Sequence, residues 1–372
     1  MPVAQRKDIK VVQMKAKPTS VVVAMSGGLD SSMAAVLLKT KGWEVHGLHF
    51  VLPAPALITD ARIKEAKRIA LHLEISLQIV DLREDFERLI IDPFVDAYLQ
   101  AMTPNPCVMC NASVKFESLL RYAEQNGIHI IATGHYARLG AGDEGSGVEL
   151  LRGRDGRKDQ SYFLHRIGQA CLSMAVFPLG GMSKDEARHQ AREMGLPVNS
   201  IPESQEICFI PENDYRLFIE TRMGPGVNKR GDIISVDGRK LGEHAGAYRY
   251  TIGQRQGLGI ASSRPYYVKE IRPEANEVVV ARKEALFSRQ VEAASFHWIG
   301  KMPAERVIEA QAQIRYRHRA ASGNLEVISH DEVRFTFDKP QWAITPGQAL
   351  VCYDGERVLG GGWIKGSRVV RN

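Results

Sequence analysis

A chain of 372 residues, 44% hydrophobic and 25% charged, is long enough for two or three packed domains and has the balance of a folded protein. No run approaches the roughly 20 apolar residues that cross a bilayer, which argues against a membrane-spanning helix. Lys and Arg total 49 against 43 Asp and Glu, a formal +6 that suits a polyanionic partner without requiring one; five unevenly spaced cysteines argue for a reducing cytoplasm and against a disulfide framework.

Residues 1–17 are basic and have no apolar signal-peptide core, so they are expected to form a loose tail. "SVVVAM" (20–25) is a β-branched run fit for a buried parallel strand, and "SSMAAVLLKTKG" reads as a helix stopped by Gly42. "EVHGLHF" (44–50) is a second strand, then comes a helix with Ile63, Ala66, Ala70 and Leu73 on one face, and "LQIVDL" (77–82) is a third strand. "SVKFESLLRYAEQNG" (113–127) predicts a helix ending at Gly127, and "IHIIATGHY" (128–136) a strand ending in a glycine turn. Ser183 and Glu186 form a capping box for "SKDEARHQAREMG", which closes on Gly195. Repeated strand–helix units imply an α/β fold, a doubly wound parallel sheet with ligands at the carboxyl ends of its strands. Beyond about residue 210 the texture changes to short alternating runs broken by Gly, Asp-Gly and Pro, which imply a small module and then a β-barrel or sandwich.

The most informative stretch is "AMSGGLDSS", Ala24 to Ser32, directly after the first strand. Two glycines permit a tight turn and let backbone N–H groups approach phosphate oxygens, while the next helix aims its positive end into the same space. Gly-Lys-Ser/Thr is missing, so this is not a Walker loop, and Gly-x-Gly-x-x-Gly is absent too. A strand, Ser-Gly-Gly-x-Asp-Ser and a helix resemble the loop of the N-type ATP pyrophosphatases. "TPNPCVMCN", "ATGHYAR", "KDQSYFL", "QEICFI", "TIGQRQGLGI", "IRYRHR" and "TPGQ" follow in order over nearly the whole chain. Together they resemble the tRNA-specific 2-thiouridylases, which replace O2 of the wobble uridine with sulfur.

That resemblance implies an ATP pyrophosphatase domain over 18–210, a small central domain over 211–278 and a C-terminal β-barrel over 279–372. It implies ATP bound through Ala24, Met25, Ser26, Gly27, Gly28, Leu29, Asp30 and Ser31, with Asp30 helping to position Mg²⁺. Phe50, at the end of a strand, would flank adenine unless it is simply a core residue, and Gly134 would allow close approach of the nucleotide. The implied partners are tRNAs with lysine, glutamate and glutamine anticodons, and a cysteine desulfurase or sulfur-relay protein.

Uridine C2 is a poor electrophile until its oxygen is joined to AMP, and sulfur must then arrive as a nucleophile. A cysteine persulfide can carry it, and a second thiol can release it while leaving a disulfide. By resemblance Cys208 carries the persulfide and Cys110 resolves it. Cys171 and Cys352 lie in apolar runs and read as buried small hydrophobes. Cys107 departs from the family, many of whose members have Asp there. It lines the base pocket passively, serves as an extra sulfur-handling thiol, or joins Cys110 and Cys208 as ligands of an iron–sulfur cluster; the sequence leaves all three open.

Asn105, Pro106 and Cys107 would wall the flipped uridine. His135, Lys158, Asp159, Gln160, Tyr316 and Gln348 match tRNA-contact positions of the family. "RYRHR" (315–319) alternates as a strand would, placing Arg315, Arg317 and Arg319 on one face for phosphates or as a charged guard on a sheet edge. The apolar tract 51–59 replaces a longer acidic segment of other members.

Overall fold

The computed structural model describes residues 20–142, 147–196 and 207–365; the expected tail at 1–17 lies outside them. Five parallel strands form the first sheet: β1 (Ser20–Ala24), β2 (Glu44–Val51), β3 (Ser76–Asp81), β4 (Ile131–Ala132) and a later strand, Ala175–Val176. Their order is β3, β2, β1, β4 and then Ala175–Val176, so the direction of winding reverses between β1 and β4. Val21, Val22 and Val23 are fully buried because both faces of β1 are covered. Helix α1 (Leu29–Thr40) buries Met33, Ala34, Ala35 and Leu38, and α2 (Ala56–His72) buries Ala66, Ile69 and Ala70. The chain turns out of α1 at Gly42, whose φ is +82°.

Two elements differ from expectation. The strand expected over 128–136 pairs only at Ile131 and Ala132, because the chain then bends at Thr133 and Gly134 to pack on the loop before α1. The helix expected from Ser113 starts earlier, as a short helix Pro106–Met109, a π-helical segment Cys110–Phe116 and an α-helix Glu117–Gln125. A helical run from Arg83 to Leu99, also π-wound over Glu87–Ile91, had no pattern strong enough to mark it. The capping box is present: the Glu186 N–H donates to the Ser183 hydroxyl, and the Ser183 N–H to the Glu186 carboxylate.

After the helix Tyr215–Met223, the strands Gly231–Ser235, Lys240–His244, Tyr267–Arg272 and Glu277–Ala281 form a small mixed sheet around Ile233, Val268, Val278 and Val280. Six further strands run from Phe287 to Ile364 and close into a barrel where Phe287–Trp298 pairs with Arg357–Ile364. The hairpin Ala137–Ala141/Val148–Arg152 joins this barrel through Leu151 and Arg357, tying the parallel-sheet part of the chain to the barrel. Among the described residues no helix is long and apolar enough to cross a membrane.

Candidate active site

A cleft of about 1820 Å³ opens at the carboxyl ends of β1, β2 and β4, where the sheet reverses. Ala24, Met25, Ser26, Gly28, Leu29, Asp30 and Ser31 line it. Gly27 instead packs on α2: its φ is +82°, and a Cβ there would stand 3.2 Å from the Arg62 carbonyl oxygen. The Ser31 hydroxyl donates to the Gly28 carbonyl (3.0 Å) and accepts from the Ser26 N–H (3.1 Å), and the Ser32 hydroxyl donates to the same carbonyl (2.8 Å). His49, which carries no motif, braces the loop through Nδ1 and the Met25 carbonyl at 2.7 Å; burial pushes its pKa down. The first-turn N–H groups of α1 have no intrahelical acceptor, so this braced loop fits a polyphosphate.

Gly134 backs the loop itself. A Cβ there would lie 2.6 Å from the Asp30 carbonyl carbon and 2.8 Å from the Ser31 nitrogen. Gly134→Ala is therefore expected to displace the loop and raise the KM for ATP at least about tenfold, a loss of roughly 1.4 kcal/mol. Titrating AMP release against ATP measures it; an unchanged KM would show that the loop tolerates the shift.

Asp30 is held on two sides. Lys184 Nζ lies 2.7 Å from both carboxylate oxygens, and the Tyr136 hydroxyl donates to Oδ1 at 2.8 Å. Two donors on Oδ1 and one on Oδ2 leave Oδ2 a lone pair for a cation, so the residue fits a single-carboxylate Mg²⁺ site completed by phosphates.

Cys110, unlike Cys107 and Cys208, does not line the cleft: it is 5% exposed and packs with Phe94, Val114, Phe209 and Ile210. Phe209 pins its own segment, its ring 5.3 Å from Phe94 and 5.5 Å from Phe86. That anchoring leaves the neighbouring Cys208 exposed, lining the cleft with Cys107. Cys110 shares its cluster with Ile207, Phe209 and Ile210, which flank Cys208 in the chain, and Cys208 acts electrostatically on it. Burial pushes the Cys110 thiol up, against the pull of Lys115, and pushes Cys107 up to about 12. A thiol held that firmly protonated suits a passive wall. Among the described residues no three His, Cys, Asp or Glu side chains are gathered to hold a metal ion, so Cys107, Cys110 and Cys208 do not fit an iron–sulfur cluster. Cys171 and Cys352 are buried, as expected, and all five cysteines are free thiols.

Residues 19–212 match a tRNA methyl transferase HUP domain, 218–282 a tRNA methyl transferase PRC-barrel domain, and 288–364 an aminomethyltransferase beta-barrel domain. The tRNA-specific 2-thiouridylase MnmA of Acidithiobacillus ferrooxidans is 43% identical over 347 residues, covering 93% of this chain and 98% of that protein. Those of Syntrophotalea carbinolica and Geobacter metallireducens are each 45% identical over 356 residues, covering 94% and 92% of this chain and 100% and 96% of their own. The chain belongs to the tRNA-specific 2-thiouridylase family.

The 2-thiouridylase cleft is strongly cationic. Among the described residues ten Lys and Arg side chains line it against two acids, Asp30 and Asp159. Asp159 is also committed, accepting from the Gly153 N–H (2.9 Å), the Ser161 N–H (3.0 Å) and Arg152 (3.1 Å). Phe50, Asn105, Pro106, His135, Lys158, Gln160 and Tyr316 all line the cleft. The Gln160 Oε1 nevertheless turns inward, accepting from the Tyr136 N–H at 2.9 Å. His135 Nδ1 pairs with the Thr133 hydroxyl at 2.8 Å; burial, then the charge of Lys115, pushes it down to about 3, so it is a neutral hydrogen-bonding group. Gln348 is not on the cleft wall: its amide donates to the Thr103 carbonyl at 2.9 Å, clamping the Pro-Asn-Pro loop to the barrel.

The run Arg315–Arg319 is not a strand. The strand Val307–Gln313 stops before it, and the Gln313 amide closes a turn by donating to the carbonyls of Tyr316 (3.2 Å) and His318 (2.6 Å). Its arginines therefore share no face: Arg315 donates to the Trp342 carbonyl at 3.2 Å, while Arg317 and Arg319 line the cleft. Sequence reasoning also missed Lys115 and Lys184 as cleft residues, since a single lysine in a helical stretch carries no signal of its own.

Proposed function

We propose that this chain is a tRNA-uridine 2-sulfurtransferase that uses ATP to place sulfur on C2 of the wobble uridine. The observation that carries the reading is a phosphate-binding loop and an exposed Cys208 lining one cationic cleft, with Cys110 buried in the apolar cluster that also holds Phe209 and Ile210. Uridine O2 attacks the α-phosphorus of ATP, an O–P bond forms, and pyrophosphate leaves into the loop Ser26–Ser31. Mg²⁺ beside Asp30 would spread the charge on the phosphates. The exposed Cys208 suits loading as a persulfide by a cysteine desulfurase or relay protein. The Cys110 thiolate attacks Cys208 Sγ, forming the Cys110–Cys208 disulfide and releasing the outer sulfur as sulfide. Sulfide adds to C2, AMP departs, and an external dithiol reduces the disulfide for the next cycle. Asn105, Pro106 and Cys107 wall the base, and Lys158, Arg317 and Arg319 supply phosphate contacts. The same reading takes tRNAs with lysine, glutamate and glutamine anticodons as substrates.

The decisive experiment incubates the chain with ATP, Mg²⁺, sulfide and unmodified tRNA. AMP, pyrophosphate and 2-thiouridine are expected by nucleoside mass spectrometry. Binding of tRNA without turnover would make the chain a carrier.

A further inference from the structure

Lys115 lines the cleft but has no task in the reaction above. Lys115 lies five positions after Cys110, within the π-helical segment Cys110–Phe116. In an α-helix, residues five apart point about 140° away from each other. The wider i→i+5 winding of a π-helix brings them back onto one face. The winding thus aligns Lys115 with Cys110, and Lys115 lines the same cleft as Cys107 and Cys208. The strongest charge interaction on Lys115 comes from Cys110, with smaller ones from Cys208 and Cys107 and an opposing one from Arg62. His135 also faces it and stays neutral, partly because Lys115 is there. Lys115 forms no salt bridge with a carboxylate among the described residues, and the groups that favour its charge are the three cysteines.

We propose that Lys115 is a positioning residue for sulfur transfer, its ammonium easing formation of the attacking thiolate at Cys110 and receiving the negative charge of the sulfide released beside it. The proposal rests on the reading that Cys110 and Cys208 handle sulfur. It assigns Lys115 to the second half-reaction, after AMP has been joined to the uridine. Burial alone disfavours a thiolate at Cys110, and Lys115 is the group that opposes it.

The test compares the full chain with Lys115→Met and Lys115→Arg, each first checked for native circular dichroism. Iodoacetamide labelling of Cys110 across pH, read by peptide mass spectrometry, is expected to shift to higher pH in Lys115→Met, with labelling near neutral pH slower by about tenfold, one pKa unit. In single turnover from persulfide-loaded enzyme, Lys115→Met should lose sulfur transfer by a similar factor while AMP release is unchanged, and Lys115→Arg should recover most of both readouts. An unchanged labelling profile in Lys115→Met, equal losses in both variants, or loss of AMP formation would each overturn the proposal. Failure of the underlying reading would look different: the unmodified chain itself would form no 2-thiouridine, whatever Cys110 labelling showed.

Discussion

Cys208→Ser is expected to abolish thiolation with a persulfide donor, by at least about 10³-fold, the scale on which removal of a covalent nucleophile acts. The side chain is exposed on the cleft, so exchanging sulfur for oxygen leaves the packing of Phe209 and Ile210 untouched. A hydroxyl cannot hold a sulfane sulfur, and the buried Cys110 cannot take over the loading step, because a donor protein reaches exposed sulfur first. Adenylation uses the other wall, so AMP formation and tRNA binding should stay within about twofold, a few tenths of a kcal/mol. Nucleoside mass spectrometry for 2-thiouridine, a filter-binding assay and a melting curve make the three readouts. Full thiolation by the variant would remove Cys208 from the mechanism.

Asp30→Asn has two consequences, one for chemistry and one for stability. Loss of the carboxylate removes the candidate Mg²⁺ ligand, and AMP formation should fall by about 10²-fold or more, several kcal/mol of charge stabilisation. The same change removes the Asp30 charge from Lys184, whose side chain is 4% exposed. Breaking a buried pair by removing one partner costs about 3–5 kcal/mol; Asp30 is 31% exposed, so roughly 2–3 kcal/mol is the expected loss by urea denaturation. Asp30→Asn combined with Lys184→Met should regain most of the stability and none of the AMP formation. Undiminished AMP formation in the single variant would end the metal role of Asp30. A double variant as unstable as the single one would show that the pair is not the source of the loss.

Much of this architecture is legible in the chain of residues. The valine run of β1, the glycine stop after α1 and the Ser183–Glu186 capping box each predict a local element, and each is present. The loop "SGGLDSS" announces phosphate handling because that chemistry needs particular residue types at short spacing, whereas Cys110 and Cys208, 98 positions apart, are marked for sulfur only by the family resemblance of the segments around them. Backbone hydrogen bonding and side-chain periodicity act over a few residues, so their signatures survive in one dimension.

Tertiary packing decided the rest. The Asp30–Lys184 pair, the Gln348 clamp on Thr103 and the hairpin joined to the barrel through Leu151 and Arg357 link residues far apart in sequence. The charged run at 315–319 alternates like a strand, yet the Gln313 side chain closes it into a turn. Lys115 and Cys110 sit in one π-helical segment that no sequence period marks. None of these has a period to detect: each depends on which surfaces meet when the hydrophobic clusters close, and that is a property of the packed chain rather than of any stretch within it.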